Sequence, residues 1–248
     1  MDQSVQETND EATECRWSAI KRGLLASDEL QLIERLVTNP RRKEPLIDLG
    51  TFVRTKWIDN ELLEFESGSG IVSLGAGFDL RAFRMPQYHW REVDFPEIIH
   101  RKQAKLPLYA AELYPHDLNE GLRDIPISAI ALAEVVFPYL PRDTLVDILQ
   151  DQRIKEMILF EPISFDDNFG KLLLQNIPAP MPGIFKTDME LINFYSSNGF
   201  KLVKGSSLVD AKLSLKDEQN KLVGFLDEVE EWNLMAKHYH FFHFRRTN

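Results

Sequence analysis

The chain is poor in the groups that would staple it, anchor it or wrap it around nucleic acid. Its 248 residues include one cysteine, Cys15, so no internal disulfide can form and a reducing compartment is expected. The six histidines form no His-Glu-x-x-His or Cys-His cluster, so no metal is expected. No apolar run approaches the roughly 18 residues of a membrane-spanning helix. Positive charge is in deficit: 29 Lys and Arg stand against 39 Asp and Glu, a net charge of −10. A broad nucleic-acid footprint normally needs the opposite balance. The polar, acidic opening MDQSVQETNDEATE is wrong for a secretory or mitochondrial leader. Neither membrane nor nucleic acid is therefore an expected partner, and a cytoplasmic location is expected.

What is present suits an ordinary soluble core: 44% of residues are hydrophobic and 27% charged. The length fits one large unit with appendages. Residues 1–10 read as a flexible tail. Residues 11–66 read as a helical cap. Trp17, Ile20, Leu24, Leu30, Ile33 and Leu36 recur at helical spacing between Cys15 and Val37, and a second helix is expected from Ile47 to Phe65. The basic loop TNPRRKEP separates the two. SGSG, Ser67 to Gly70, opens the remaining core, residues 67–248. Strands are expected in GIVSLGAG, in YHWREVDF (Tyr88 to Phe95), in LPLYAAEL (Leu106 to Leu113), in ISAIALAE (Ile127 to Glu134) and in KEMILFEPI (Lys155 to Ile163). Two more are expected in FKLVKGSSLV (Phe200 to Val209) and HYHFFHFRR (His238 to Arg246). Strands alternating with helices predict an α/β fold, a mostly parallel central sheet with helices on both faces.

In such a fold the ligand lies beyond the carboxyl ends of the central strands. The first strand runs into Gly75-Ala76-Gly77, where glycines let backbone approach a ligand. A dinucleotide fingerprint needs a third glycine where Leu80 stands, and no Walker pattern follows. Asp94 ends the second strand, 19 residues after Gly75, where a carboxylate can accept from both ribose hydroxyls of an adenosine. A glycine turn, no third glycine and a ribose-reading acid suit S-adenosylmethionine, which carries adenosine without phosphate. Asp94 can equally cap a helix starting at Pro96. Glu134 closes its apolar strand and suits the cofactor's α-ammonium; Asp117 with Leu118 suits the adenine amine. Each acid can also be a structural cap or one half of an ion pair.

Five segments together resemble the leucine carboxyl methyltransferase family: IVSLGAGFDLRAFR, REVDFPEIIHRK, ALAEVVFPYLP, FEPISFDDNFGKLLLQN and FLDEVEEWNLMAKHYHF. TNDEATECRWSAIKRGLL and LGTFVRTKWID resemble its two basic N-terminal segments. The resemblance spans about Thr8 to Phe244. It implies a Rossmann-like class I S-adenosylmethionine-dependent methyltransferase with an N-terminal helical extension. The implied activity is methylation of the C-terminal leucine carboxylate of the protein phosphatase 2A catalytic subunit, by a monomer. A small-molecule carboxylate substrate, or a non-catalytic phosphatase-binding role, is the alternative. By the same resemblance Arg16 and Arg54 hold the cofactor's carboxylate end, Gly75 belongs to the turn, Asp94 to the ribose, Asp117 and Leu118 to adenine, and Glu134 to the acid after the fourth strand. The chain departs from the family at Leu24, where tyrosine is usual, and in a shortened Asp94–Asp117 segment.

A carboxylate acceptor is already ionised at pH 7 and requires no general base. Arg54 is the candidate for steering it and Tyr139 for donating a hydrogen bond to it. Phe137 and Trp57 are candidates for an apolar pocket, or simply core. Cys15 reads as an inert thiol, and Asp166-Asp167 and DEVEE (Asp227 to Glu231) as solvated helix faces.

Overall fold

The first strand, β1 (Gly70–Leu74), is apolar apart from Ser73 and buried on both faces, as expected of a central parallel strand. The computed structural model describes residues 3–37, 40–163, 181–215 and 229–247. Asp166, Asp167, Asp227 and most of FEPISFDDNFGKLLLQN lie outside them.

Strands β2 (His89–Asp94), β3 (Glu112–Pro115), β4 (Ile130–Glu134) and β5 (Glu156–Pro162) join β1 in parallel. Strands β6 (Phe200–Ser207) and β7 (Tyr239–Arg246) complete the sheet, with β7 antiparallel to both its neighbours. The order is β3-β2-β1-β4-β5-β7-β6. It reverses direction at β1, between β2 and β4, and a crevice forms there beyond the carboxyl ends. The fold is α/β and Rossmann-like, with a mostly parallel sheet.

The period-two alternation of the strands divides the core. Ile71, Ile130, Ile158, Phe160 and Phe241 face one cluster, while Val72, Leu74, Ala131, Met157, Leu159 and Phe244 face the other. The first cluster packs under α1 (Gln3–Lys21), α2 (Leu30–Leu36), α3 (Pro45–Leu62), α4 (Arg81–Arg84) and α5 (Pro96–Lys105). The second packs under α6 (Arg142–Gln150) and α7 (Asp188–Ser197). Helices α8 (Leu208–Ser214) and α9 (Val229–Ala236) add Leu208, Trp232 and Ala236 to the first.

Three expectations change. The periodic stretch Cys15–Val37 is two helices, because Gly23 turns left-handed (φ +82°) and the Leu24 N–H closes on the Ala19 carbonyl at 3.0 Å, a glycine C-cap. Helix α1 starts at Gln3, within the segment read as a tail. Asp10 pairs with Arg101 at 2.7 Å, and Glu14 with Lys43 at 3.1 Å, so distant cations hold this acidic stretch. The third strand is Glu112–Pro115 rather than Leu106–Leu113. Leu106 is a buried packing residue, Pro107 lacks a ladder donor, and the Tyr109 hydroxyl is drawn inward to Glu92 at 2.8 Å.

Candidate functional site

Strand β1 ends in a turn whose shape only glycine tolerates well. Gly75 and Gly77 have φ of +62° and +51°. A Cβ on Gly75 would lie 2.5 Å from a Val136 methyl, and one on Gly77 would collide with the Asn9 side chain. Asp94, at the tip of β2, accepts from the Gly77 N–H at 2.6 Å and from the Phe95 N–H at 2.7 Å. It caps no later N–H of α5. Burial raises its pKa, and the two backbone donors only partly oppose this. Each carboxylate oxygen keeps acceptor capacity beyond its one N–H.

The far end of the turn is pinned as well. The Asp79 carbonyl accepts from Lys102 Nζ at 2.5 Å and from the Tyr109 hydroxyl at 2.9 Å. Both donors also bind the two oxygens of Glu92. Burial, with Asp79 nearby, pushes Glu92 up to about 7 although Lys102 and Tyr109 favour its charged form.

Beside the turn lies a network of four arginines and four carboxylates. Arg81 reaches Asp59 (2.8 Å), Asp79 (2.7 Å) and Glu134. Arg84 reaches Asp59 (3.0 Å), Glu29 (3.2 Å) and Asp79 (3.7 Å). Arg16 binds Glu29 through two nitrogens, at 2.7 and 2.8 Å, and Thr55 at 3.0 Å. Arg54 lies 3.3 Å from Glu134, its buried Nε without a hydrogen bond. Burial opposes ionisation of Asp59 and Asp79, but the arginines outweigh it and hold both carboxyls below their ordinary range. The structure thus brings Arg54 and Glu134 together, and it commits the polar atoms of Arg16 to Glu29 and Thr55. Glu29, Asp59, Asp79, Arg81 and Arg84 are absent from the sequence reading. The spacing Asp79-x-Arg81-x-x-Arg84 is their only local signal, and it resembles any charged helix start.

Asp117 caps a short 3-10 turn, Leu118–Glu120, accepting from the Asn119 N–H at 2.9 Å. The His116 N–H bonds the Asp94 carbonyl at 2.8 Å, which sets this turn next to the glycine turn. Leu118 is buried. Tyr139 ends a second 3-10 turn, Phe137–Tyr139, and is half-buried. Burial pushes its phenol up to about 12, with Tyr239, Glu161 and Glu11 adding to the effect. Trp57 stacks on Phe241 with centroids 4.5 Å apart and Phe137 is equally buried, so both side chains belong to the core. Burial raises the Cys15 thiol to about 11, as befits an inert group.

Leucine carboxyl methyltransferase is the family whose model matches residues 17–152. A leucine carboxyl methyltransferase 1 from Caenorhabditis elegans is 32% identical, the alignment covering 96% of this chain and 90% of that protein. The Schizosaccharomyces pombe protein of that name is 28% identical, over 95% and 92%. The chain belongs to the leucine carboxyl methyltransferase family.

Against these family members the chain is shortened: the two alignments run over 303 and 287 positions, more than its 248 residues. Between Asp94 and Asp117 it has α5, one loop and β3. Among solved structures, a geranyl diphosphate C-methyltransferase from Streptomyces coelicolor, in complex with S-adenosyl-L-homocysteine, superposes with a TM-score of 0.54 at 12% identity, over 84% of this chain and 88% of that one. The [4+2]-cyclase SpnF gives 0.52 at 10%, over 79% and 82%. A C-methyltransferase and a cyclase share the scaffold, so this likeness establishes the fold, and chemistry must be argued from side chains.

The residues fit a cofactor with an adenosine and a zwitterionic end. The glycine turn leaves no room for side chains, Asp94 is a buried acceptor against it, and the Arg54–Glu134 pair offers one charge of each sign. Arg54 Nε is ion-paired with Glu134 but makes no full hydrogen bond, which leaves it donor capacity.

Proposed function

We propose that the chain methylates the C-terminal leucine α-carboxylate of the protein phosphatase 2A catalytic subunit, using S-adenosylmethionine. The observation that carries this is the Arg54–Glu134 pair at 3.3 Å beside the glycine turn, within a chain of this family. Asp94 would hold the ribose, Asp117 and Leu118 the adenine side, Gly75 the close backbone approach, and Glu134 and Arg54 the amino-acid end. Arg16 would act from behind, through Glu29 and Arg84. When bound, S-adenosylmethionine supplies an electrophilic methyl carbon.

The remaining chemistry belongs to the chain. A terminal carboxylate has a pKa of roughly 3.5, so at pH 7 the nucleophile is formed without a base. Arg54 attracts it. Tyr139, its phenol raised by burial, stays protonated and donates to one carboxylate oxygen while the other attacks. The half-buried setting limits hydration of the nucleophile, and positioning supplies most of the rate.

The deciding assay is methyl transfer from radiolabelled S-adenosylmethionine to the phosphatase 2A catalytic subunit. Base-labile label on the intact subunit, and none on a version lacking its last leucine, is the expected result. Label on neither, with cofactor still bound, rejects this substrate and leaves a small-molecule carboxylate or a binding role.

A further inference from the structure

The turn after β4 is held in an unusual conformation. Val135 has φ +56°, in the left-handed region, which a β-branched residue keeps only where its surroundings over-determine it. Three contacts do so. The Val135 N–H donates to the Phe160 carbonyl on β5 at 2.7 Å. The Gly183 N–H donates to the Pro138 carbonyl at 2.8 Å, and Gly183 lies so close to the Phe137 and Leu140 carbonyls that no side chain would fit. The third contact is Glu161 on β5, 2% exposed. Its oxygens face the backbone N–H groups of Val136 and Phe137 without reaching hydrogen-bonding geometry.

Glu161 closes one side of a narrow crevice lined by Phe137, Pro138, Pro162, Phe185 and Tyr195. A buried acid without a full hydrogen bond among the described residues is costly. Methyl transfer to an ionised carboxylate has no use for it as a base. The turn beside it bears directly on the site, however. Glu134 precedes Val135, Tyr139 ends the same segment, and a Val136 methyl lies over Gly75.

We propose that Glu161 is a positioning residue: wedged behind the turn after β4, its carboxyl sets the placement of Glu134, Val136 and Tyr139 and so shapes the cofactor end of the site. This rests on the reading of Glu134 and Gly75 as cofactor ligands. Glu161 acts in its neutral form. Burial holds its pKa well above the carboxylate range against the pull of the two backbone N–H groups, and Glu134 adds to the rise. Of the other titratable groups on this side, Tyr139 and Tyr195 are acids too, while His240 stands opposite Glu161 across the β5–β7 ladder and has its ring turned to the Lys237 carbonyl at 3.0 Å. Glutamine keeps a neutral polar head facing the same two backbone N–H groups at the same reach; leucine keeps only bulk.

The test is calorimetry with S-adenosylhomocysteine on the wild type, Glu161→Gln and Glu161→Leu, with urea unfolding of all three. The glutamine variant should bind within about threefold of wild type. The leucine variant should unfold at no lower urea concentration yet bind at least about tenfold more weakly (a tenfold loss being 1.4 kcal/mol). Leucine binding like wild type overturns the proposal, as does glutamine failing alongside leucine, since that would demand a charged carboxylate.

A second readout needs no cofactor. With its folded pKa raised, Glu161 adds stability that is complete below the ordinary carboxylate range and is lost as pH rises through the raised value. Glu161→Gln should therefore gain stability relative to wild type as pH rises through the range above the ordinary carboxylate values. A constant difference across that range overturns the neutral form. A wild type that binds no S-adenosylhomocysteine removes the cofactor reading and the positioning role with it; normal binding with an indifferent leucine variant removes the positioning role alone.

Discussion

Asp94 shows what one residue can carry. Its two oxygens hold the Gly77 and Phe95 amides, and each has a further lone pair for a ribose hydroxyl. Asp94→Ala should weaken S-adenosylhomocysteine binding at least tenfold, about 1.4 kcal/mol, in calorimetry. Unchanged affinity would remove the ribose role. Gly75 makes a steric prediction. An added methyl meets Val136 at 2.5 Å, from a backbone that side chains rarely adopt. Gly75→Ala should cost about 1–3 kcal/mol of stability in urea unfolding. A loss below a few tenths would mean that the Val136 turn gives way freely.

Between elements, the ties that matter are polar and buried. Glu92, Lys102 and Tyr109 join β2, α5 and the following loop to the Asp79 carbonyl. Breaking such a set leaves a buried charge without its partner, which costs more than the intact set stabilises. Glu92 titrates near 4.5 in a free chain and at about 7 in the fold. Its folded pKa is raised, so the folded chain holds a proton that the unfolded chain has lost. The stability it contributes is complete below about 4.5 and falls as pH rises to about 7. Glu92→Gln should flatten that part of the pH–stability profile, read from urea midpoints. Asp59 and Asp79, whose pKa values are lowered, act in the opposite sense and at lower pH. A slope unaltered in the variant would place the titration elsewhere.

At the scale of the whole molecule, the N-terminal helices belong to the site and not merely to its periphery. Asn9 packs against Gly77, Asp10 ties α1 to Arg101 on α5, and Arg16 enters the charge network. Removing residues 1–11 should leave a cooperative thermal transition yet weaken S-adenosylhomocysteine binding at least about tenfold, about 1.4 kcal/mol. Equal affinity in the truncated chain would show that α1 begins to contribute only at Arg16. The helical cap of residues 11–66 would then stand as first drawn from sequence.

Sequence alone determined what depends on local chemistry and period. The buried strands were legible because parallel strands covered on both faces are nearly continuous apolar runs, and the glycine turn because no other residue adopts its backbone so cheaply. Asp94 and Glu134 were legible as acids at strand ends. Tertiary structure decided whatever depends on which distant groups meet. Nothing in the segment from Cys15 to Arg84 announces that Arg16, Arg54, Arg81 and Arg84 will share Glu29, Asp59, Asp79 and Glu134. The acidic N-terminus looked solvated because its cations lie about 90 residues on, at Arg101, or in the loop at Lys43. Glu161 carries no local signal in the sequence, and only the turn folded over it makes it a buried carboxyl. Charge and burial are pairwise properties of the packed chain. A linear pattern records one partner of each pair and leaves the other to the fold.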